Sequence, residues 1–246
     1  MLTNRGLAWR DKGDLDRAIA DFDQAVKVEP QSAFAFINRG NAWRDKGDLS
    51  RAEADYNAAI EVDPMDAIAI NNRGSLYLIS GEFDRAILYY SEAIKIDPKY
   101  ALAFANRGNA WRDKGDLDRA LADYSEAIKA NPRLVAAFVN RGDTYRDHGE
   151  LDQAIADYDQ AMKLNPRDPE ILTNRALAHL KRGVLEKSIE DYNAALRINP
   201  RLAAALYGRA VARRKAGDAE SAAADLALAR DINPNVAEEL LPFGIE

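Results

Sequence analysis

Residues 33–66 read AFAFINRGNAWRDKGDLSRAEADYNAAIEVDPMD, and the spacing of the glycine and proline residues in this stretch recurs along the chain. Proline returns every 34 residues, at Pro30, Pro64, Pro98, Pro132, Pro166, Pro200 and Pro234. Glycine keeps the same interval, at Gly13, Gly47, Gly81, Gly115, Gly149, Gly183 and Gly217. Because these two residues interrupt regular backbone structure most strongly, a strict period in both indicates one structural unit copied seven times.

Each copy has the spacing of two helices. In the quoted stretch, apolar or small residues at Phe36, Gly40 and Trp43 lie three to four positions apart, which is helical spacing. The second half repeats this spacing on one face, through Ala52 and Tyr56. The small Gly40 and Ala52 are expected where the helices cross most closely, with Trp43 and Tyr56 filling the space around them. The pattern predicts an antiparallel helix pair in every copy.

The ends of these helices are also marked in the sequence. Gly47 is expected to end the first helix, because glycine adopts the left-handed backbone conformation at a C-terminal cap without penalty. Asp48 follows as the N-cap of the second helix. Pro64 then stops the second helix, since proline cannot donate the helical hydrogen bond.

These residues resemble the signature of the tetratricopeptide repeat, which is W-x2-L-G-x2-Y, then A-x3-F, then P. Two copies supply the matching residues at Phe36, Gly40, Trp43, Ala52, Tyr56 and Pro64, and at Phe104, Gly108, Trp111, Ala120, Tyr124 and Pro132. The resemblance covers residues 1–236 and implies an all-α fold, a right-handed superhelical solenoid of antiparallel helix pairs. It also implies that ligands bind on a concave face lined by the first helices.

The period predicts seven units, at residues 1–32, 33–66, 67–100, 101–134, 135–168, 169–202 and 203–236. Residues 237–246 are expected to form a short C-terminal segment that caps the apolar face of the seventh unit. The last two units depart most from the pattern. Ala176 and Ala210 replace the first-helix glycine there, and His179 and Arg213 replace the aromatic residue. Terminal units of repeat arrays are expected to diverge in this way.

Composition excludes several classes of protein. The 246-residue chain has a net charge of −6, which argues against a general nucleic-acid binder with a basic face. It contains no cysteine, which excludes disulfides, zinc–thiolate sites and thiol catalysis. No apolar run approaches the roughly 18 residues of a membrane span, and no signal peptide is apparent. These features favour a cytoplasmic protein with no membrane partner, without fixing the compartment.

The sequence offers no recognisable active site. His148 lies near the end of a first helix and is expected on the surface, whereas His179 takes the aromatic core position and is expected to pack there with its polar atoms satisfied. Metal-ligand spacings such as HExxH and CxxC and phosphate-binding glycine motifs do not occur. We therefore predict a protein that is not an enzyme, with no catalytic residue, bound metal or cofactor.

One position departs from the tetratricopeptide signature in every unit, because arginine replaces leucine at Arg5, Arg39, Arg73, Arg107, Arg141, Arg175 and Arg209. An antiparallel pair places this arginine opposite an aspartate on the second helix. The predicted ion pairs are Arg5–Asp21, Arg39–Asp55, Arg107–Asp123, Arg141–Asp157, Arg175–Asp191 and Arg209–Asp225. Arg73 faces Tyr89 instead. At partly exposed positions each pair is expected to contribute about 0.2–1 kcal/mol. The alternative is that the arginines extend unpaired along the surface.

Asparagine occupies the sixth position of six units, at Asn4, Asn38, Asn72, Asn106, Asn140 and Asn174, and Gly208 interrupts the series. Asparagine is a mediocre helix former, so this recurrence needs a reason. A carboxamide both donates and accepts, and can pair with both polar groups of an extended peptide backbone. The series is similar to those in the grooves of O-linked N-acetylglucosamine transferases and kinesin light chains. The alternative is that these asparagines bond within the array and join adjacent repeats.

Apolar residues are expected beside the asparagines in the groove, at Phe34, Ile37, Ile68 and Leu102. The third unit adds Leu78 and Ile79, where other units carry arginine and aspartate. The second to fourth units are therefore the predicted hot spot for a partner. The alternative is a face that packs against another copy of the chain.

Asn41 and Asn109 add a second set of amides to the predicted groove. Chaperone-cofactor arrays of the same family hold a C-terminal carboxylate with a clamp of lysine, arginine and asparagine. The lysine position of that clamp holds Thr3, Ile37, Asn71, Ala105, Val139, Thr173 and Tyr207 in this chain. Without the cation, the sequence argues against a carboxylate clamp.

Three functions remain open at this point. The first is a non-enzymatic scaffold whose concave groove binds extended peptide segments of a protein partner. The second is self-assembly, in which copies stack head to tail or form dimers through the ends of the array. The third is a recruiting domain of a larger enzyme, such as a glycosyltransferase.

Overall fold

The computed structural model describes residues 2–241, and every regular element in that range is helical. The helices are α1 (Leu2–Asp11), α2 (Leu15–Val28), α3 (Ala33–Asp45), α4 (Leu49–Val62), α5 (Ala67–Ile79), α6 (Phe83–Ile96), α7 (Ala101–Asp113), α8 (Leu117–Ala130), α9 (Val135–Asp147), α10 (Leu151–Leu164), α11 (Pro169–Lys181), α12 (Leu185–Ile198), α13 (Ala203–Lys215), α14 (Ala219–Ile232) and α15 (Val236–Leu240). The predicted all-α fold is confirmed.

The chain divides into two compact units, Met1–Ala130 and Asn131–Glu246. In the first unit, α1 to α8 pack as consecutive pairs, and each pair packs on the next. The first helices of neighbouring pairs also touch, since α3 contacts α5 and α5 contacts α7. The second unit is built in the same way from α9 to α14, with α15 packed against α13. Each unit is therefore a stack of helix pairs.

The ends of the helices follow the predicted punctuation. Gly47 has a φ of +85°, a conformation that a side chain disfavours, and it separates α3 from α4. The Asp48 side chain caps α4 by accepting from the Arg51 backbone N–H at 3.0 Å. Helix α4 ends just before Pro64, where the Asp63 side chain accepts from the Met65 N–H at 3.0 Å. The turn between pairs is held by the residue before the proline.

The closest approach within a pair is between the first-helix glycine and the second-helix tyrosine. A Cβ atom built on Gly40 would lie 2.7 Å from Tyr56 Cε1, and one built on Gly108 would lie 2.7 Å from Tyr124 Cε1. Tyr56 and the neighbouring Ala52 are fully buried. The predicted roles of Gly40, Ala52 and Tyr56 are thus confirmed, because any side chain on the glycine would displace the ring.

All six predicted arginine–aspartate pairs form. In each, Nε and Nη2 of the arginine donate to the two carboxylate oxygens at distances of 2.6 to 2.9 Å. The guanidinium of Arg73 instead lies 4.6 Å from the centre of the Tyr89 ring, as expected for the third pair. The alternative of unpaired arginines is therefore wrong for these six residues.

The burial of these pairs differs from the prediction. Asp55 is only 5% exposed, and the five other aspartates are buried as well. Beyond the first pair, the arginine can also reach the preceding pair of helices. Nη1 of Arg39 donates to Asp23 at 2.8 Å, and Nη1 of Arg107 donates to Ser91 at 3.0 Å. Arg39 and Arg107 thus join successive helix pairs and cover their carboxylates from solvent.

The two histidines lie where the sequence placed them, with one difference. His148 is exposed, with Nδ1 3.2 Å from a carboxylate oxygen of Glu150. His179 is buried in the core, as predicted. Its Nδ1, however, has no hydrogen-bond partner among residues 2–241, and its Nε2 lies 4.0 Å from Asp191. The expectation that its polar atoms are satisfied is wrong, because it replaces an aromatic ring in an apolar position.

We expect the second unit to lose stability in mild acid because of His179. Burial lowers the pKa of His179 below its ordinary value of 6.5, with Arg175 and Lys187 adding to the shift and Asp191 and Asp159 opposing it. The unfolded chain then takes up a proton at a higher pH than the folded chain. Stability is therefore lost as the pH falls through about 6.5. His179→Phe should lose less thermal stability than the wild type between about pH 7.5 and 5.5, as measured by circular dichroism.

His148→Gln is the matched control for this experiment, because its imidazole is 47% exposed. It should follow the wild type across the same pH range. Equal acid losses in the wild type and His179→Phe would contradict the assignment to His179.

Helix α15 begins the segment expected to cap the last pair. Val236 is 1% exposed and packs in the core cluster of the second unit, with Ala237 and Leu240 against its edge. Residues 242–246 of the predicted segment lie outside the described residues. The contact of α15 with α13 is consistent with a capping role for this segment, which we keep as a proposal.

Candidate functional site

The residues predicted to line a groove all lie on first helices. The set comprises Phe34, Ile37, Asn38 and Asn41 on α3, Ile68, Asn72 and Leu78 on α5, Asn106 and Asn109 on α7, Asn140 on α9 and Asn174 on α11. Because α3, α5 and α7 contact one another in order, their solvent-exposed sides form a continuous surface in the first unit. We call this surface the first-helix face.

A chain of side-chain hydrogen bonds runs through α3, α5 and α7. Asn72 Nδ2 donates to Asn41 Oδ1 at 3.1 Å, and Asn71 Nδ2 donates to Asn72 Oδ1 at 3.2 Å. Asn106 Nδ2 then donates to Asn71 Oδ1 at 3.0 Å. At the other end, the Tyr56 hydroxyl donates to Asn41 Oδ1 at 2.7 Å. We call these five residues the asparagine network.

For two asparagines of the series, the network supports the alternative that they bond within the array. Asn72 and Asn106 bond to the preceding helix pair, so they join adjacent repeats. Asn38 is different, because its Nδ2 donates to the Phe34 carbonyl oxygen of its own helix at 2.7 Å. Both Asn38 and Asn72 are buried. The carboxamides are therefore held in fixed orientations by the fold.

The protonation state of the network is also fixed. Burial raises the pKa of Tyr56 to about 12, so its hydroxyl keeps its proton at neutral pH. It must then donate to Asn41, which orients the Asn41 carboxamide with its oxygen towards the helix pair. The Nδ2 of the half-buried Asn41 has no partner among residues 2–241 and remains able to donate to a ligand.

The three remaining asparagines are half-buried in separate surroundings. Asn109 Oδ1 accepts from the Tyr124 hydroxyl at 2.7 Å, which reproduces the contact of Asn41. The Asn140 carbonyl oxygen accepts from Thr144 Oγ1 at 2.8 Å. Asn174 lies beside a cavity in the second unit.

Exposed apolar residues border the asparagine network. Phe34, Ile68 and Leu102 occupy the same position on α3, α5 and α7, and are 56%, 51% and 47% exposed. Ile79 is 58% exposed at the opposite end of α5, next to the half-buried Leu78. Such large apolar side chains in a row are unusual on a surface without a partner.

Ile37 does not belong to this surface. It is 5% exposed and packs against Ala59 and Ala69 between two helix pairs. The prediction that Ile37 lines the groove is therefore wrong, because the fifth position of α3 faces the next pair.

Sequence reasoning missed the central member of the network. Asn71 links Asn72 to Asn106, yet it was considered only as the residue in place of a clamp lysine. The available signal was the pair Asn71–Asn72, the only adjacent asparagines in the chain. Two neighbouring carboxamides on a helix reach in different directions, and so can bond to both flanking pairs.

The described part of the chain shows no group of three or more histidine, cysteine, aspartate or glutamate side chains arranged to hold a metal ion. None of its helices has the length and apolar character that crossing a membrane requires.

Comparison with known families agrees with this architecture. The model described as "Tetratricopeptide repeat" matches residues 3–64, 37–101, 71–135 and 176–237, which together span well over half of the chain. The chain belongs to the tetratricopeptide repeat family. A second model, "TPR repeat", matches residues 142–183 of this tetratricopeptide repeat protein. No curated protein matches its sequence significantly.

Several solved structures share the tetratricopeptide repeat fold with this protein. YrrB, described as having an unusual peptide-binding site, is 22% identical, with a TM-score of 0.58 over 76% of this chain and 97% of its own. A protein from Parabacteroides merdae is 23% identical, with a TM-score of 0.69 over 100% of this chain and 98% of its own. Pseudomonas aeruginosa PilF is 19% identical, with a TM-score of 0.74 over 85% of this chain and 96% of its own.

The tetratricopeptide repeat fold indicates a scaffold for protein–protein interaction, and proteins of the family are generally not enzymes. At these low identities the structural neighbours establish the fold alone.

Proposed function

We propose that this protein is a non-enzymatic scaffold that binds extended peptide segments of a protein partner along the first-helix face. The observation that carries the proposal is the row of Phe34, Ile68 and Leu102, each about half exposed and one per helix pair. Burying such side chains under a ligand removes apolar surface from water, which is the main favourable term in binding.

The asparagine network supplies the polar half of this surface. Its carboxamides are already oriented by hydrogen bonds within the fold, so a ligand does not have to order them. Asn41 Nδ2 is positioned to donate to a peptide carbonyl. Asn38 bonds within its own helix and is therefore not proposed to contact the peptide. Asn72 is buried and bonded at both ends of its carboxamide, so we propose that it orients Asn41. We retain the half-buried Asn41, Asn106 and Asn109 in the binding surface, together with the apolar row.

The spacing of the apolar row suggests the conformation of the ligand. Packed helices lie about 8–10 Å apart. A peptide in the polyproline II conformation advances about 3.1 Å per residue, so every third side chain points the same way after about 9 Å. We therefore propose a ligand with apolar residues at every third position, each meeting one residue of the row.

Other features agree with a peptide that carries little charge in its central part. Arg44 bonds to the adjacent Asp45 at 3.0 Å, and Arg112 lies 3.5 Å from Asp113, so these charges are matched within the protein. The third pair has Leu78 in the position of these arginines. YrrB, which shares the fold, has a peptide-binding site, and this supports the same class of ligand here.

The experiment begins with selection of peptides from a random library on the full chain, followed by titration of the enriched peptide. We expect the Ile68→Ser/Leu102→Ser variant to bind that peptide at least about tenfold more weakly, because both positions lie in the proposed contact. The matched control is Leu88→Ser. Leu88 is 63% exposed but lies on the second helix α6, so its loss should leave binding unchanged.

Light scattering over a concentration series tests the competing function. A monomer that enriches peptides supports the scaffold. A mass that grows with concentration, together with no enriched peptide, would contradict the proposal and assign the surface to self-assembly. Equal weakening by Leu88→Ser would show that the first-helix face is not the contact.

A further inference from the structure

The second unit contains a cavity of about 200 Å³ that borders α9, α11, α12, α13 and α15. Its apolar walls are Leu177, Ala204 and Leu240. Its polar lining includes the Asn174 carboxamide and the hydroxyl-bearing ring of Tyr192. The cavity is large enough for a single amino-acid side chain.

Tyr192 is an unsatisfied polar group of this cavity. The side chain is fully buried, and its hydroxyl has no hydrogen-bond partner within the described range. An unpaired buried hydroxyl is costly, so its persistence needs an explanation. Burial raises the pKa of Tyr192, which keeps the proton on the oxygen at neutral pH.

Comparison with the other helix pairs explains why this hydroxyl is unpaired. Each earlier tyrosine donates to a polar residue on its first helix, as the pairs Tyr56–Asn41, Tyr90–Ser75, Tyr124–Asn109 and Tyr158–Asp143 show. In the sixth pair that acceptor position holds Leu177. The donor is kept while its acceptor is replaced by an apolar wall of the cavity.

A second polar group in the cavity is also without a partner. The carboxamide of Asn174, a member of the asparagine series, makes no hydrogen bond to any residue from 2 to 241, although it is half-buried. Asn174 can both donate and accept. The cavity is thus lined by the unpaired Asn174 carboxamide and by Tyr192, whose buried hydroxyl is also unpaired, beside apolar walls.

The charged groups of the cavity disfavour an ionic ligand of either sign. Arg146 is 5% exposed, and its Nη1 donates to Asp143 at 2.8 Å while its Nη2 donates to Asp147 at 3.0 Å. Lys181 stands nearby, with its pKa lowered by burial and then by Arg146. Because Arg146 and Asp143 are paired with each other in the wall, an ion of either sign would gain little net attraction for the water it gives up.

We propose that this cavity is a specificity pocket for an uncharged carboxamide side chain, that of glutamine or asparagine, on a bound peptide. The Tyr192 hydroxyl donates to the carboxamide oxygen of the ligand, and Asn174 Oδ1 accepts from its NH₂ group. The aliphatic part of the ligand side chain packs on Leu177 and Leu240. This pocket rests on the proposed peptide-binding function and adds a side-chain preference to it.

The test uses propionamide, which is the glutamine side chain as a free molecule, so it does not depend on a peptide having been found. The full chain is titrated by ¹H–¹⁵N NMR, following the Asn174 side-chain NH₂ and the Ala204 amide. Propionate and propylammonium serve as matched ligands of the same size and opposite charge. We expect saturable shifts with propionamide and at least about fivefold weaker binding of either ion.

The matched variants are Tyr192→Phe and Tyr90→Phe. Tyr192→Phe should weaken propionamide binding about fivefold or more while leaving the melting temperature unchanged or higher, because the hydroxyl has no bond to lose in the free protein. Tyr90→Phe loses the bond to Ser75 at 3.2 Å in the first unit, so it should lower the melting temperature and leave propionamide binding intact. If Tyr192 had only a structural role, Tyr192→Phe would not weaken propionamide binding while leaving the melting temperature unchanged or higher.

Three results would overturn the pocket. These are no shift at Asn174 with about 100 mM propionamide, binding of propionate or propylammonium as tight as that of propionamide, or unchanged affinity in Tyr192→Phe. Each can occur while Ile68→Ser/Leu102→Ser still loses its peptide. Failure of the pocket is therefore distinguishable from failure of the proposed function.

Discussion

Replacing Arg39 by methionine is expected to lower the free energy of unfolding by about 3 kcal/mol. The substitution leaves the Asp55 carboxylate, which is only 5% exposed, without the two hydrogen bonds at 2.9 and 2.6 Å that neutralise it. Removing one partner of a buried pair costs about 3–5 kcal/mol, far more than an exposed pair contributes. Urea denaturation of the full chain measures the difference.

Arg5→Met is the control for a pair whose arginine is open to solvent. Arg5 makes the same two bonds to Asp21, at 2.7 and 2.6 Å, but its side chain is 64% exposed against 20% for Arg39. The hydrogen bond from Arg5 lowers the pKa of Asp21, whereas burial raises the pKa of Asp55. Asp21 is itself buried, but the arginine that covers it is open to solvent, so water can replace that arginine and Arg5→Met should cost no more than about 1 kcal/mol.

The Arg39→Met variant has a further signature in acid. Without its arginine, the pKa of Asp55 is held above its ordinary value by burial, with Asp23 adding to the shift, so the folded variant takes up a proton more readily than the unfolded chain. The difference between its free energy of unfolding and that of the wild type should shrink as the pH falls from about 7 to 5. The double variant Arg39→Met/Asp55→Leu should recover most of the loss, since a packed apolar pair can replace a buried ion pair. A deficit that is equal in Arg39→Met and Arg5→Met would contradict this account.

The pairing of helices could be predicted because its determinants are local. Gly47 with its positive φ, the Asp48 cap and the turn at Pro64 each act within a few residues, and each recurs. The arginine–aspartate register also followed, because an antiparallel pair fixes which positions face each other. The burial of the Arg39–Asp55 ion pair could not be predicted from one helix pair alone, since Arg39 also bonds to Asp23 in the preceding helix pair.

The candidate site was predicted less completely for the same reason. The row of Phe34, Ile68 and Leu102 was placed on the surface correctly. The directions of the asparagine carboxamides depend on how one helix pair sits on the next, which a 34-residue pattern does not specify. Ile37 was therefore assigned to the wrong side, and the link through Asn71 was missed. The pocket at Tyr192 arises from a departure from the pattern.

A second departure from the repeat pattern in the same helix pair, Ala176, accounts for the break in the asparagine series at Gly208. In the sixth pair Ala176 replaces the glycine on which the tyrosine ring otherwise rests, so Tyr192 cannot take the position that Tyr124 takes against Gly108. The ring lies towards α13 instead, and a Cβ built on Gly208 would overlap its hydroxyl and ring carbon. Only glycine fits at residue 208 while alanine stands at residue 176.

Gly208→Asn, which would complete the asparagine series, is therefore expected to destabilise the protein by about 3 kcal/mol through overpacking. Helix propensity alone predicts the opposite sign, because asparagine is a better helix former than glycine. Adding Ala176→Gly should restore most of the loss, since it frees the position that Tyr192 vacated. Ala176→Gly by itself should cost about 1 kcal/mol, as a glycine within a helix does.

The two substitutions should thus be strongly non-additive in urea denaturation, with a coupling of about 3 kcal/mol that favours the double variant and leaves it only about 1 kcal/mol less stable than the wild type. Gly142→Ala is the complementary control, because it introduces in the fifth pair, at a site 2.8 Å from Tyr158 Cε1, the alanine that the sixth pair already has. Gly142→Ala should destabilise the protein, because the next helix pair has no glycine at the position equivalent to Gly208 that could make room for the displaced Tyr158 ring. Additive effects of Gly208→Asn and Ala176→Gly would show that the two positions are independent, and Gly208 would then need another explanation.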